Sequence, residues 1–228
     1  MTDARPVPGP AAKLLRLLLR FKTTSMLMAV IISAGVLTAT VFREHHPWLL
    51  ENVGFDLAAL QHGKVWAMPA ATLLQGKPGL TWHEALLVLS GLLAIEWAAG
   101  SGRALVVFFL ADWITAPVAT LTLWALASFG SARADTLVHM PDMGSSVAAL
   151  GAASASAALA TGPLRWLGLT LACGFVLTTA PFMRFDITVS HSIAIGVGIA
   201  IGGVLGRRRA KDGQPAAVGK QPGAVASS

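Results

Sequence analysis

Charged residues are scarce in this chain. They make up 12% of its 228 residues, whereas hydrophobic residues make up 54%. Soluble domains carry about a quarter charged residues, so this composition excludes an ordinary soluble domain and indicates that lipid is the main solvent. Tyrosine is absent, which leaves the seven tryptophans to supply the aromatic anchors of a membrane interface. A single cysteine, Cys173, excludes a disulfide within the chain and a cysteine-based metal site.

Six apolar runs are long enough to cross a bilayer as helices. Runs of roughly 16–20 apolar residues match a hydrocarbon core of about 30 Å at a rise of about 1.5 Å per residue. The chain is therefore predicted to be an all-α polytopic membrane protein with six transmembrane helices. The predicted spans cover residues 25–42, 83–99, 104–129, 144–162, 166–182 and 187–206.

The remaining segments are more polar. Residues 1–24 are predicted to form a cytoplasmic N-terminal segment with an amphipathic helix, because basic residues recur there at helical spacing among leucines. Residues 43–81 have too many charges for a span and too many large apolar residues for a free loop, so we expect short helices in the membrane interface. Residues 207–228 are predicted to be a disordered basic cytoplasmic tail.

Positive charge is unevenly divided between the two sides of this topology. The terminal segments and the two short turns hold twelve of the 17 Lys and Arg residues, and the opposite side holds five. Because the richer side faces the cytoplasm, both termini are predicted to be cytoplasmic. The Ala-, Gly- and Arg-rich composition favours a bacterial inner membrane. Basic residues beside apolar segments are typical of a membrane surface, so we expect membrane lipids and no nucleic acid as partners.

Three residues that could carry chemistry are predicted to lie at one depth. The second, fourth and sixth spans run in the same direction, and His83, Ser146 and His191 stand near their beginnings. A serine hydroxyl needs an adjacent base to become a nucleophile, and an imidazole can supply it. Backbone N–H groups at the start of the fourth span could hold an oxyanion. We therefore predict that Ser146 and His191 lie within hydrogen-bonding distance.

Small residues indicate that the fourth and sixth spans pack closely. At intervals of three, seven and eleven residues after Ser146 and after His191, every position is alanine or glycine, and these positions share one helical face. Small faces let membrane helices approach each other closely. The two predicted faces are Ala149, Ala153 and Ala157 on the fourth span, and Ala194, Gly198 and Gly202 on the sixth.

Several segments resemble motifs of the rhomboid family of intramembrane serine proteases. The resemblance covers roughly residues 63–206 and includes motifs from the second, fourth and sixth spans. The motifs are Gly63-Lys64-Val65-Trp66, Glu96 with Gly100-Ser101-Gly102-Arg103, Gly144-Ser145-Ser146-Val147 with Gly151, and His191 with Gly198 and Gly202.

The resemblance implies that residues 25–206 form a rhomboid-like six-helix bundle that hydrolyses peptide bonds in membrane-anchored proteins. It implies Ser146 as the nucleophile and His191 as the general base. Ser146, Ser145 and His83 are the candidates for holding the oxyanion. The residues implied to be structural are Gly144, Gly151, Gly198, Gly202, Glu96 and Gly100.

Departures from the family pattern leave other functions open. Val147 replaces the motif's second glycine, Ala67 replaces an arginine after the tryptophan, and Leu87 stands where an oxyanion-binding asparagine would follow His83. A catalytically inactive rhomboid-like protein that binds transmembrane segments is therefore an alternative. Asp112, midway through the third span, leaves a small six-helix transporter as a further alternative. No histidine spacing typical of a metal site is found, so we expect no metal and no cofactor.

Overall fold

The computed structural model describes Arg16 and residues 18–40, 47–74 and 82–212, with only the backbone described at positions 82 and 83. Across these residues the protein is all-helical, apart from one isolated antiparallel bridge between Phe55 and Asp142. The helices are α1 (Lys22–Leu37), α2 (Pro47–Val53), α3 (Leu57–Gln61), α4 (Ala67–Leu73), α5 (Trp82–Ala99), α6 (Ser101–Ser128), α7 (Ala132–Val138), α8 (Ser146–Leu159), α9 (Pro163–Thr179) and α10 (Phe185–Lys211).

Two of these helices, α6 and α10, are long and apolar enough to cross a membrane by length and composition. Helices α1, α8 and α9 are apolar but shorter. The 14 residues of α8 rise only about 21 Å, less than the roughly 30 Å of a hydrocarbon core. The predicted fourth span, residues 144–162, is therefore longer at both ends than the helix that the chain forms.

Glycine and proline limit the length of α8. Gly144 has a φ of 153°, a conformation that side-chain-bearing residues rarely adopt, and the helix begins two residues later at Ser146. At the other end, Gly162 has a φ of 61° and Pro163 is the first residue of α9. Proline disfavours a helical conformation in the residue before it but is suited to the first position of a helix.

Helices α5, α8 and α10 run parallel to one another. Gly91 of α5 packs against the carbonyl group of Ala149 in α8. Further along both helices, the Ser156 hydroxyl donates to the Ala94 carbonyl at 2.9 Å. The contacting residues thus advance in the same direction along α5 and α8. The same holds for α8 and α10, because Gly198 packs on Gly151 and Gly202 packs on Ala155. Helices α1, α6 and α9 therefore run in the opposite direction.

The beginning and the end of the described chain lie at the same end of the bundle. The backbone N–H groups of Thr23 and Thr24, at the start of α1, donate to the Glu96 carboxylate at 3.0 and 2.7 Å. Nη2 of Arg209, near the end of α10, donates to the carbonyl of Ala98 at 2.6 Å. Glu96 and Ala98 both belong to the last turn of α5. An even number of long helices joins these two points, as the six-span prediction requires.

Helix α10 extends to Lys211, five residues past the predicted end of the sixth span at 206. Its last turn contains Arg208, Arg209 and Lys211, and positive charge is favourable beside the carbonyl end of a helix dipole. These residues are therefore not part of a disordered tail. The rest of the predicted tail, and most of the segment predicted to hold the amphipathic helix, lie outside the described residues.

Short helices α2, α3 and α4 occupy most of the described residues 47–74 between α1 and α5, and short helices were predicted for this segment. The Asp56 carboxylate caps α3 by accepting a hydrogen bond from the Ala59 N–H at 2.7 Å. Leu57 of α3 packs with Leu123 of α6 and Val138 of α7. The short helix α7 was not predicted from the sequence. Together these short helices cover the end of the bundle at which α8 begins.

Candidate active site

Helix α8 is packed among α5, α6, α9 and α10. Eight of its fourteen residues are alanine or glycine, and most of its side chains are buried. Small residues allow the backbones of neighbouring helices to approach α8 from several directions. The distance of each neighbouring helix from α8 is consequently set by contacts with the α8 backbone.

Gly198 and Gly202 bring α10 against α8. A Cβ atom at Gly198 would collide with the Gly151 carbonyl and with the Cβ atom of Ser154, and one at Gly202 would collide with the Ala155 carbonyl. The glycine face predicted on the sixth span is therefore confirmed as the face that contacts α8. The contact requires glycine because any side chain would force the two helices apart.

The face predicted on α8 is wrong. Ala149 packs on Gly91 of α5, Ala157 packs on Gly168 of α9, and Ala153 lies between these two helices. Helix α10 instead packs on the face of α8 that contains Gly151, Ser154 and Ala155. Nearly every position of α8 is small, so residue size does not distinguish one face of the helix from another.

The hydroxyl Oγ of Ser146 lies 3.1 Å from Nε2 of His191, which confirms the predicted contact. Ser146 is the first residue of α8 and is half-buried. His191 stands six residues into α10 and its side chain is 2% exposed. The Phe175 ring of α9 lies 6.0 Å from the imidazole, with 50° between the ring planes. When Nε2 carries no proton, it can accept the serine proton directly.

The connection between α2 and α3, together with helix α4, holds the backbone that leads into α8. Asp142 exchanges two backbone hydrogen bonds with Phe55, at 3.0 and 3.1 Å. The Gly144 N–H donates to the carbonyl of Ala71 in α4 at 3.0 Å. The Met143 side chain is buried in a cluster that includes Ala71. These contacts determine where Ser146 enters the first turn of α8.

The first turn of α8 provides backbone N–H groups beside the Ser146 hydroxyl. The first N–H groups of an α-helix have no acceptor within the helix, and the positive end of the helix dipole lies there. Ser146 and Val147 belong to this turn. Ser145 is the N-cap residue and is fully buried. The side chain of His83, the third oxyanion candidate, lies outside the described residues.

The three positions that depart from the rhomboid pattern have different surroundings. Ala67 is the first residue of α4 and is fully buried. Leu87 of α5 packs on the largest apolar cluster of the protein. Val147 lines a cavity beside α8. The backbones of α8 and α10 meet closely at Gly151 and Gly198, so the valine does not keep the two helices apart there.

A cavity of about 70 Å³ lies beside Val147, the residue after Ser146. Its walls are mostly apolar, but they include three aspartates, Asp112, Asp142 and Asp186. Asp186 forms a two-pronged ion pair with Arg184 at 3.1 and 2.5 Å. A cavity of this size has room for several water molecules, since each requires roughly 10–15 Å³.

Asp112 connects α6 to α4, the helix that holds the segment before Ser146. It is buried in α6, and its carboxylate accepts a hydrogen bond from the Thr72 hydroxyl of α4 at 2.5 Å. The neighbouring Ala71 supplies the carbonyl that accepts the Gly144 N–H. The sequence contained no signal for this link, because Thr72 and Asp112 are 40 residues apart and share no periodic pattern.

We expect Asp112→Ala to lower the stability of the protein by about 1–3 kcal/mol, because it removes a buried hydrogen-bond acceptor. Asp112→Asn keeps an acceptor for the Thr72 hydroxyl, and its unfolding midpoint should be close to that of the wild type. The measurement is the thermal unfolding midpoint of the purified proteins in detergent. A transporter that uses Asp112 as a proton carrier would instead lose transport in the Asn variant, whatever its stability.

Glu96 and Gly100 lie at the opposite end of the bundle from Ser146 and His191. Gly100 has a φ of 83° and forms the turn between α5 and α6. The buried Glu96 carboxylate accepts bonds from the backbone of Thr23, from the backbone and hydroxyl of Thr24, and from the Ser101 hydroxyl. The contacts of Glu96 join α1, α5 and α6, which is a structural role.

Among the described residues, no group of three or more His, Cys, Asp or Glu side chains could hold a metal ion. No protein-family model matches the chain, and no curated protein or solved structure matches it either. The geometry of the Ser146–His191 pair is accordingly the observation from which a function can be argued.

Proposed function

We propose that this protein is a rhomboid-like intramembrane serine protease that cleaves membrane-anchored protein substrates. The 3.1 Å contact between Ser146 Oγ and His191 Nε2 carries the proposal. The two residues are 45 positions apart, and a chain of glycine contacts brings their helices together. A hydroxyl on the ring nitrogen of a buried imidazole, at the head of a helix, is the arrangement of a nucleophile with its base.

The chemistry follows from this pair. Ser146 Oγ attacks the carbonyl carbon of the peptide bond, and its proton moves to Nε2 of His191. The N–H groups in the first turn of α8 stabilise the oxyanion that forms on the carbonyl oxygen. His191 then gives the proton to the leaving amine, and the acyl group stays on Ser146. A water molecule then attacks the ester carbonyl carbon and loses a proton to Nε2 of His191. As the ester bond breaks, His191 returns this proton to Ser146 Oγ, and the new carboxylic acid leaves and ionises.

The cavity beside Val147 supports hydrolysis in a membrane. Deacylation needs water, and the hydrocarbon core of a bilayer contains almost none. The cavity has room for several water molecules, and Asp112 and Asp186 in its walls can form hydrogen bonds with them. It is therefore a source of water next to Val147, the residue that follows Ser146.

The membrane topology of the proposal has six spans, namely α1, α5, α6, α8, α9 and α10. Exposed large apolar side chains support it, since soluble proteins rarely expose so many on neighbouring helices. Examples are Val30, Val36, Val106, Leu110, Trp113, Leu121, Trp124, Leu167, Leu171 and Leu177. Both termini are cytoplasmic in a bacterial inner membrane, which puts the dyad in the outer half of the bilayer. The short α8 is surrounded by longer neighbours that cover its ends.

The test is cleavage of single-span reporter proteins in vesicles that contain the purified protein. Wild type should release a soluble fragment from at least one reporter in a panel with varied residues at the outer end of the span. Ser146→Ala, reconstituted equally, should release none. If wild type and Ser146→Ala bind reporters but neither cleaves any, the protein is a rhomboid-like protein that binds transmembrane segments without catalysis.

A further inference from the structure

A long apolar groove runs between α5 and α9, with α8 as its floor. The two flanking helices both pack on α8 but make little contact with each other. Its volume is about 560 Å³. The apolar residues that line it include Leu87 and Trp97 of α5, Leu150 and Ala153 of α8, and Leu164 and Leu171 of α9.

The groove is as long as one leaflet of a bilayer. Its α5 wall runs from Leu87 to Ala98, and the eleven steps between these two residues rise about 16 Å. Half of the hydrocarbon core measures about 15 Å, whereas a transmembrane helix needs about 30 Å of apolar wall. The length therefore fits an acyl chain of one leaflet and is too short for a spanning segment of protein.

Two arginines lie at one end of the groove. Arg209 lines the groove and donates to the Ala98 carbonyl at 2.6 Å. The guanidinium of Arg20 lies 4.4 Å from the ring centre of Trp97, which also lines the groove.

No carboxylate lies within ion-pair distance of these arginines in the part of the chain that the structure describes. The ion pair between Arg184 and Asp186 is at the other end of the bundle. The nearby Glu96 carboxylate is buried under hydrogen bonds from α1 and from Ser101, the first residue of α6. The positive charge at this end of the groove is therefore suited to binding an anion.

We infer that the groove between α5 and α9 binds an anionic phospholipid of the cytoplasmic leaflet. One acyl chain lies along α8 between the two flanking helices, and the phosphate group contacts Arg209 and Arg20. Basic pockets between membrane helices on the cytoplasmic side are suited to such headgroups. The inference rests on the membrane orientation proposed above, but it does not depend on catalysis by Ser146.

The test is lipid retention by the purified, delipidated full chain, measured by native mass spectrometry in detergent. Phosphatidylglycerol should be retained more strongly than phosphatidylcholine with the same acyl chains. Arg209→Gln and Arg20→Gln should each lower the retention of phosphatidylglycerol by about fivefold. The matched control is Arg207→Gln with Arg208→Gln, which removes two exposed charges outside the groove and should retain the lipid.

Two further arms identify the ligand. Ala153→Phe fills the groove and should lower retention of phosphatidylglycerol, while inorganic phosphate should compete poorly because it has no acyl chain. Equal retention of the two lipids, or effective competition by phosphate with no effect of Ala153→Phe, would overturn the inference. Ser146→Ala should retain the lipid, so a failure of the protease proposal and a failure of this one give different results.

Discussion

A fluorophosphonate probe should label the wild-type protein and should fail to label Ser146→Ala and His191→Ala. Attack by the serine oxygen on phosphorus expels fluoride, and the imidazole must remove the hydroxyl proton as it would during proteolysis. Because a nucleophile and its base act as a unit, either change should lower the labelling rate by about a thousandfold or more. The measurement is the rate of labelling of folded protein in detergent, followed by fluorescence after electrophoresis.

Two variants sharpen this experiment. Ser192→Ala removes an exposed hydroxyl next to His191 that bonds only within its own helix, and it should label as wild type. Val147→Gly introduces the glycine that the rhomboid motif has at this position, and labelling should rise if the valine crowds the oxyanion. Absence of labelling in both wild type and Val147→Gly, with both proteins folded, would contradict the proposed catalysis by Ser146.

Gly198→Ala should destabilise the protein by about 1–3 kcal/mol, the range for an overpacked core. The added methyl group would collide with the carbonyl of Gly151 and the side chain of Ser154, so α10 must move away from α8. Gly198 stands two turns from His191 on the same helix, and this movement should also slow fluorophosphonate labelling. Thermal unfolding and the labelling rate measure the two effects separately.

Gly203→Ala and Gly196→Ala are the matched controls on the same helix. A methyl group at either position meets no atom within 4 Å apart from the backbone of its own helix. Neither variant should unfold at a lower temperature than wild type, and both should be labelled at the wild-type rate. If Gly198→Ala behaves as they do, the close approach of α8 and α10 is not what brings the serine and the histidine together.

The helical architecture and the pairing of the dyad could be predicted from the sequence. Apolar runs and the glycine and proline between them identify the long helices, and their alternation puts Ser146 and His191 on helices that run in the same direction. The glycine face of α10, with Gly198 and Gly202, could also be predicted from the sequence. Helical periodicity and the requirement for small residues both act within a single segment. Such signals depend only on residues that are close in the chain.

Other features were decided only by the tertiary structure. Which face of α8 meets α10 could not be predicted, since its many alanines make the faces alike, and the exact backbone contacts choose among them. The bond from Thr72 to Asp112, the carbonyl of Ala71 that holds Gly144, and the arginines at the end of the groove join segments that are distant in the chain. A single polar residue that finds its partner across 40 or more positions leaves no periodic pattern, because the distance between the two groups exists only once the helices are packed.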